Sequence, residues 1–374
     1  MFKTFRYRLE PNVNQTRELE IALETHRRLY NDCLAQRKES YEITKRRVKY
    51  IEQSARFTLD RKVNTYYARL NFSSAQATMR NLDKAFKAFF RRCKAGEEPG
   101  YPRFKARDRF DSITFPSVGD GARIVGNKLR LQHIGFVRIN LHRPLEGPVK
   151  TLNIKREAGK WYVTAACELA DVPVIYTDKP SVGIDVGLES FLTTSDGEHI
   201  SPLQPIKPNL GKLRVAQRSL SRKKKGSSSR AKQRRAVARL HLKVSNTRRD
   251  THHKIAVNLI SRYGAFAVES LNIRGMVKNH RLARAVSDAG WAGFLTILKN
   301  KAASAGLRYE EVNARYTSQT CPECGEVKKK VLSERRHSCE CGYTAHRDHA
   351  AARVILARST LGGMHPERLN VGVS

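Results

Sequence analysis

The stretch Ser181-Val182-Gly183-Ile184-Asp185-Val186-Gly187 reads as an apolar strand interrupted by a single carboxylate. An ionised Asp in the middle of such a strand costs several kcal/mol unless a metal ion or another partner compensates it, so Asp185 is a candidate ligand. Leu192-Thr193-Thr194, followed by the turn Asp196-Gly197, suggests the second strand of a hairpin. Further on, Tyr263-Gly264-Ala265-Phe266-Ala267-Val268-Glu269 is another short apolar strand, with Glu269 at its carboxyl end. Open α/β sheets place their ligands at that end. A third acid, Asp348, opens the Ala-rich helix His346-Arg347-Asp348-His349-Ala350-Ala351-Ala352-Arg353-Val354-Ile355. A helix N-terminus also favours a carboxylate as a cap, so capping and ligation both account for Asp348 in isolation.

Taken together, the three acids make chemical sense. Phosphodiester hydrolysis needs in-line attack by water and stabilisation of the departing 3′-oxygen. Two Mg²⁺ ions about 4 Å apart do both, and carboxylates are the hard oxygen ligands that Mg²⁺ prefers. Asp185, Glu269 and Asp348 are therefore the candidate catalytic and Mg²⁺-binding residues. A strand Asp, a strand Glu and a helix Asp, in that order, resemble the RuvC arrangement of the RNase H-like fold.

Composition points to the substrate. The 374 residues suffice for two or three domains, and the chain carries 71 Lys+Arg against 35 Asp+Glu, a formal net charge of +36. A protein this basic repels itself unless a polyanion neutralises it, which indicates nucleic acid. A membrane surface is the competing partner for positive charge. No apolar stretch is long enough to span a bilayer, and the start Met1-Phe2-Lys3-Thr4-Phe5-Arg6 has no signal-peptide core, so a cytoplasmic location is expected.

The N-terminal half alternates strand and helix signals. Lys3, Phe5, Tyr7 and Leu9 alternate with Thr4, Arg6 and Arg8, a strand with one apolar and one basic face. Leu19, Leu23, His26, Tyr30 and Cys33 recur at helical steps, and a second helix is expected from about Ser73 to Arg92. Its stripe of Met79, Leu82, Phe86 and Phe89/Phe90 suits a helix-bundle core better than base stacking. Arg80, Lys84, Lys87, Arg91 and Arg92 lie on its remaining surface, suited to phosphates. Gly100-Tyr101-Pro102-Arg103-Phe104-Lys105 breaks the helix, with Arg103 and Lys105 as further candidate contacts. Strand-like segments follow at Ile113 to Phe115, Lys128 to Leu131, Val137 to Leu141, Thr151 to Arg156 and Trp161 to Cys167, and the N-terminal strand plausibly completes this β module. Ser201 to Arg249 contains no acid at all. There Lys223, Lys224 and Lys225 form a basic, flexible joint with Gly226 and the serines after it. The amphipathic helix beyond carries Arg234, Arg235 and Arg239, fit to lie along a phosphate backbone. Asn246, Arg248, Asp250 and His253 make a polar cluster on a helix before the Glu269 strand, either a solvated face or a support for the metals.

Cys321-Pro322-Glu323-Cys324-Gly325 is a zinc-knuckle half-site, and Cys339-Glu340-Cys341-Gly342 supplies the other half. The second half is one residue shorter than the commoner pair, and His337 and His346 are substitute ligands. Four thiolates leave no open coordination position, so Zn²⁺ here is expected to be structural.

The order of Gly183-Ile184-Asp185-Val186-Gly187, Val268-Glu269-Ser270-Leu271-Asn272-Ile273 and Arg347-Asp348 resembles the TnpB family, nucleases of small insertion sequences and relatives of type V CRISPR effectors. So do Ser287-Asp288-Ala289-Gly290-Trp291, Tyr316-Thr317-Ser318-Gln319-Thr320-Cys321, Leu220-Ser221-Arg222-Lys223-Lys224-Lys225-Gly226 and the Gly100 to Lys105 segment. The resemblance runs over nearly the whole chain and implies a multidomain α+β fold. A wedge-like β-barrel would occupy residues 1–12 and 100–180, and a helical recognition insertion 13–99. A RuvC nuclease domain would occupy 181–312 and 343–360, a zinc-finger insertion 313–342, and a poorly ordered tail 361–374. It also implies two catalytic Mg²⁺, a guide RNA from the transposon end, and target double-stranded DNA cut next to a short adjacent motif. One departure stands out: the family usually has Asn two residues after the last Asp, where this chain has Ala350. Two alternatives are an RNA-guided DNA-binding repressor without cleavage, which would lack carboxylates, and an unguided RuvC nuclease, which would need neither so basic a recognition half nor a zinc insert.

Overall fold

The computed structural model describes residues 1–331 and 334–361. The chain divides into two compact units, Met1–Asp171 and a second beginning at Val172.

The first unit runs β1 (Phe2–Glu10), α1 (Val13–Thr44), α2 (Tyr50–Val63), α3 (Thr65–Ala68), α4 (Phe72–Lys94), β2 (Ser112–Phe115), β3 (Ala122–Val125), β4 (Lys128–Leu131), β5 (Gly135–Asn140), β6 (Val149–Glu157) and β7 (Lys160–Glu168). Its seven strands form one sheet in the order β2-β6-β7-β1-β5-β4-β3. The alternation of β1 has its physical outcome here, because Phe5, Tyr7 and Leu9 are buried while the strand pairs antiparallel with both β5 and β7. Edge strands β2 and β3 contribute Ile113, Phe115 and Ala122 to one core with Val137, Leu152 and Val163. The sheet is therefore curled around a common interior, but its ladder runs from edge strand β2 to edge strand β3 without closing, so the expected β-barrel is an open curled sheet. The helices build a second core from Leu29, Leu34, Phe57, Met79, Leu82 and Phe86. In it, buried His26 accepts or donates to Thr78 Oγ1 at 2.9 Å, and burial holds its imidazole down to about 3, hence neutral.

The second unit runs β8 (Ser181–Asp185), β9 (Leu192–Thr194), β10 (His199–Ile200), α5 (Leu210–Arg222), α6 (Ser228–Arg262), β11 (Ala265–Ser270), α7 (Ile273–Met276), α8 (Ala283–Ala289), α9 (Trp291–Ser304), β12 (Arg308–Asn313), β13 (Arg336–Ser338), β14 (Thr344–His346) and α10 (Arg347–Arg358). Its five-stranded sheet has the order β10-β9-β8-β11-β12, with β8 antiparallel to β9 and parallel to β11, and β11 parallel to β12. One face buries Val182, Ile184, Phe266 and Val268 against Ala256 and Leu259 of α6 and Trp291, Phe294 and Leu298 of α9. The other face receives α10, with Ile355 packed on Ala267 and Val312. Gly183 permits the close approach. A Cβ there would overlap the carbonyl oxygen of Ala352 and come within 2.9 Å of Leu356 N and Cβ.

Three further expectations are corrected by the coordinates. The first unit ends at Asp171, not near residue 180, because the segment after it straps onto the second unit: Ile175 N–H donates to Gly306 O at 2.8 Å. The basic joint at Lys223 to Lys225 is a folded helix–helix turn. Ser227 caps α6 by accepting from Arg230 N–H at 3.1 Å, and Arg230 Nη1 donates to Leu220 O at 2.7 Å and Lys223 O at 2.9 Å. The helix carrying Arg234 and the helix carrying His253 are one continuous element, α6. The expected tail from residue 361 lies, after Leu361, outside the described residues.

Candidate active site

Asp185 is the last residue of β8, not an interruption within it. Beside it, β11 pairs in parallel with Val268 opposite Ile184, so Glu269 falls opposite Asp185 at the carboxyl ends of the two central strands. Strand alternation sends both side chains to the face that carries Gly183 and Ala267, the face covered by α10. The helix enters with its N-terminus at that same end. Asp348 sits in its first turn and is buried, and His346 caps the helix by accepting Asp348 N–H on Nδ1 at 3.3 Å. Gly187, on the loop after β8, lies beside the acid and keeps the loop tight, since a Cβ there would come within 3.1 Å of the Ser190 carbonyl oxygen.

The structure thus brings the three acids together. Burial, then the Glu269 and Asp348 carboxylates, push the Asp185 carboxyl well above the usual range, opposed by Arg347. Burial also raises Glu269, opposed by a hydrogen bond from Thr317 Oγ1 and by the Arg358 guanidinium. Like charges converging on one buried point is the electrostatic condition that a bound cation relieves, and hard carboxylate oxygens suit Mg²⁺.

Sequence reasoning missed Glu189 beside Asp348 and named His346 only as a substitute zinc ligand. Ligand atoms of Glu189, His346 and Asp348 all lie within 4.8 Å of one another. Glu189 comes from the loop between β8 and β9 and also pairs with Arg335 at 2.9 Å. The His346 ring packs edge-on against His199 at 4.9 Å, and His199 Nδ1 lies 3.0 Å from Thr193 Oγ1. No spacing in the sequence links residues 189, 199 and 346, so only the fold reveals the group.

The four cysteines Cys321, Cys324, Cys339 and Cys341 converge, with Sγ atoms mutually within 4.8 Å. Cys321 to Cys341 is 3.6 Å and Cys324 to Cys339 is 3.4 Å. A tetrahedron with metal–sulfur bonds of about 2.3 Å has edges of about 3.8 Å, so the set fits Zn²⁺ despite the short second half-site. Neither substitute ligand is in the group. His337 is fully buried beside Lys330, and His346 belongs to the Asp348 cluster. The knuckle is tied to α10 by Arg353, whose Nη2 reaches Glu323 at 2.8 Å. Arg358 on the same helix donates to Arg315 O at 2.6 Å and Thr320 Oγ1 at 3.1 Å, fixing the segment that presents Thr317 to Glu269.

The polar cluster of α6 lies elsewhere. Arg248 pairs with Asp288 at 3.0 Å, Asp250 with Lys254 at 2.8 Å, and buried His252, which the sequence did not single out, hydrogen-bonds Ala289 O at 3.0 Å. The Arg248 and His252 contacts fasten the Ser287 to Trp291 segment to α6, and the Asp250 pair stays within the helix. Arg80, Lys84, Lys87, Arg91 and Arg103 are exposed in the first unit, as are Lys224, Lys225, Arg234, Arg235 and Arg239 in the second. Lys87 is paired with Asp83 at 3.1 Å, Lys223 donates to Ser229 at 2.9 Å, and Lys105 is half-buried over the Tyr30 ring. Among the described residues no helix is long and apolar enough to cross a membrane.

Comparison with known proteins gives three family matches. Residues 166–280 match a family described as "Probable transposase" (OrfB of IS605), residues 291–355 a Cas12f1-like TNB domain, and residues 1–46 a "Helix-turn-helix domain", although there the chain forms β1 and the single helix α1. A protein of Streptomyces pristinaespiralis named "Putative RNA-guided DNA endonuclease" is 33% identical over 98% of this chain and 92% of its own length. An Escherichia coli K12 protein of the same description, InsQ, is 30% identical over 95% and 92%. Among solved structures, the mini RNA-guided endonuclease Cas-phi3 aligns over 96% of this chain and 92% of its own with a TM-score of 0.48 and 10% identity.

Proposed function

Because the chain belongs to the TnpB family of insertion-sequence proteins, we propose that it is an RNA-guided DNA endonuclease that hydrolyses phosphodiester bonds with Mg²⁺. The observation that carries the chemistry is the convergence of Asp185, Glu269 and Asp348 at one end of the five-stranded sheet. The sheet order and the sequence of strand Asp, strand Glu and helix Asp support reading the second unit as a RuvC domain of the RNase H-like class. The curled sheet of the first unit, with its helices between β1 and β2, supports the wedge and recognition assignments.

In this reading Asp185, Glu269 and Asp348 hold two Mg²⁺ ions, with Glu189 and His346 flanking the Asp348 side. Mg²⁺ held there would supply activation of the attacking water and neutralisation of charge on the departing 3′-oxygen. The chain's own part is positional. Gly183 sets the separation of strand and helix, and Thr317 orients Glu269. Zn²⁺ on Cys321, Cys324, Cys339 and Cys341 holds the knuckle against α10. Specificity cannot come from the +36 charge, because phosphates are alike at every position. A transposon-end guide RNA reads the target by base pairing, and the protein reads only a short flanking duplex motif.

The test has two parts. Replacing the guide segment of the copurifying RNA, with the flanking motif kept, redirects cleavage to the new target. Asp185→Ala, Glu269→Ala and Asp348→Ala each abolish cutting while guide and target binding persist. RNA-free protein cutting a fixed site as well as the complex does would make an unguided nuclease the better reading, and normal cutting by any of the three variants would remove that residue from the centre.

A further inference from the structure

The segment Gly100 to Lys105 connects α4 to β2 and takes no part in hydrolysis, yet it is held unusually firmly for a loop. Lys105 N–H donates to Asn31 Oδ1 at 2.8 Å, and the Lys105 carbonyl accepts from Arg27 Nη1 at 2.9 Å and Asn31 Nδ2 at 3.1 Å. Tyr101 is wedged edge-on against Phe86 and Phe89, with centroids at 5.6 and 5.3 Å. Pro102 is buried and fixes φ between these anchors.

Despite this, Phe104 leaves 51% of its surface in solvent. It borders a cleft of about 520 Å³ that Lys38, Arg103 and Tyr101 also line, and Lys38 Nζ stands 5.5 Å over its ring. A single exposed Phe is ordinary. Here, however, an aromatic ring on an anchored stretch of backbone stands beside two cations, with a cleft volume in the range that small ligands fill. An apolar peptide offers the cations no anion, whereas a nucleotide brings a phosphate for them and a base for the ring. We infer that the cleft takes one unstacked nucleotide of a single strand, its base on the Phe104 face and its phosphate between Arg103 and Lys38. Glu98 at the rim is an acceptor for a ribose hydroxyl or an exocyclic amino group. Every base offers a π-face, so such a site is indifferent to sequence, as a protein must be whose target is specified by a guide. The inference rests on the nucleic-acid reading above.

A short single-stranded oligonucleotide carrying one 5-iodouracil, made as RNA and as DNA, is irradiated with the full chain and the adduct is mapped by mass spectrometry. The expected adduct is at Phe104. An adduct with RNA identifies a guide-strand site, one with DNA a site for an opened DNA strand, and either supports the inference. Phe104→Leu keeps apolar bulk but loses the π-face, and should weaken binding roughly 5- to 150-fold with an unchanged salt slope. Phe104→Trp restores affinity. Arg103→Gln instead flattens the slope by about 0.7 log units per lost single-strand phosphate contact. Unaltered affinity in Phe104→Leu, or adducts mapping only outside residues 100–105, would overturn the inference. Failure of the unsubstituted chain to bind any single strand would overturn the nucleic-acid reading itself.

Discussion

Gly183→Ala is the most informative single substitution in the second unit. The added methyl would meet the Ala352 carbonyl and lie 2.9 Å from Leu356 N and Cβ, where carbon contacts ordinarily settle near 3.5 Å or more. These are backbone and core atoms, so no side chain can swing aside. Helix α10 must retreat from β8 by on the order of 1 Å, and Asp348 rides on that helix. Displacement of about 1 Å in a positioned reacting group costs on the order of 100-fold in rate, and overpacking costs about 1–3 kcal/mol of stability. The assay is single-turnover cleavage at saturating Mg²⁺, with guide and target binding measured separately and a thermal melt as the check on folding. Expected are a rate loss near that size, binding unchanged and a modestly lowered Tm. Cleavage at the unsubstituted rate would show that the helix-to-strand distance does not govern the chemistry, and the positional account of Gly183 would fail.

Other perturbations follow from the same geometry. Asp185 has its carboxyl raised in the metal-free protein, so the native state loses stability as pH rises past the ordinary carboxylate range and stays penalised above the raised value. Asp185→Asn should therefore melt higher than the unsubstituted chain at neutral pH without divalent ions, and the difference should vanish in acid. An equal Tm at neutral pH would contradict this. Cys339→Ser, or chelation of Zn²⁺, should expose the segment between Cys321 and Cys341 to proteolysis before the rest of the unit, and active protein devoid of zinc would refute the structural role. Neutralising Arg234, Arg235 and Arg239, all exposed on α6, should flatten the salt dependence of duplex binding by roughly 0.9 log units per lost phosphate contact. An unchanged slope would place the duplex elsewhere.

Periodicity carried much of this reading. Strands around Phe5, Ile113, Leu129, Ile154 and Val163 were legible because alternation of large apolar and charged residues survives translation into two faces. Helix α2 was not legible, since Ile51 and Leu59 are exposed and only Gln53 and Phe57 are buried, leaving no stripe. Strand β3, with Arg123 outward between glycine turns, buries only the small Ala122 and so shows no alternation of large apolar and charged residues. The three acids were visible because each breaks or caps an apolar run. Glu189 was not, because an exposed Glu in a loop looks like any solvated residue until the loop folds over the start of α10. Gly183 read as part of a motif, but its reason, a helix backbone in direct contact, exists only in three dimensions.

That contact also has a consequence in time. Strands β8 and β11 are synthesised long before α10, and they can pair as soon as both have left the ribosome. The Asp185 and Glu269 positions are then side by side, and Asp348 joins them only when α10 is made and laid across Gly183. No strand has to open to admit it, because α10 covers a face of the sheet and inserts into no ladder. On the nuclease reading, a nascent chain amid the cell's own nucleic acids has no complete acid centre until α10 docks on the sheet.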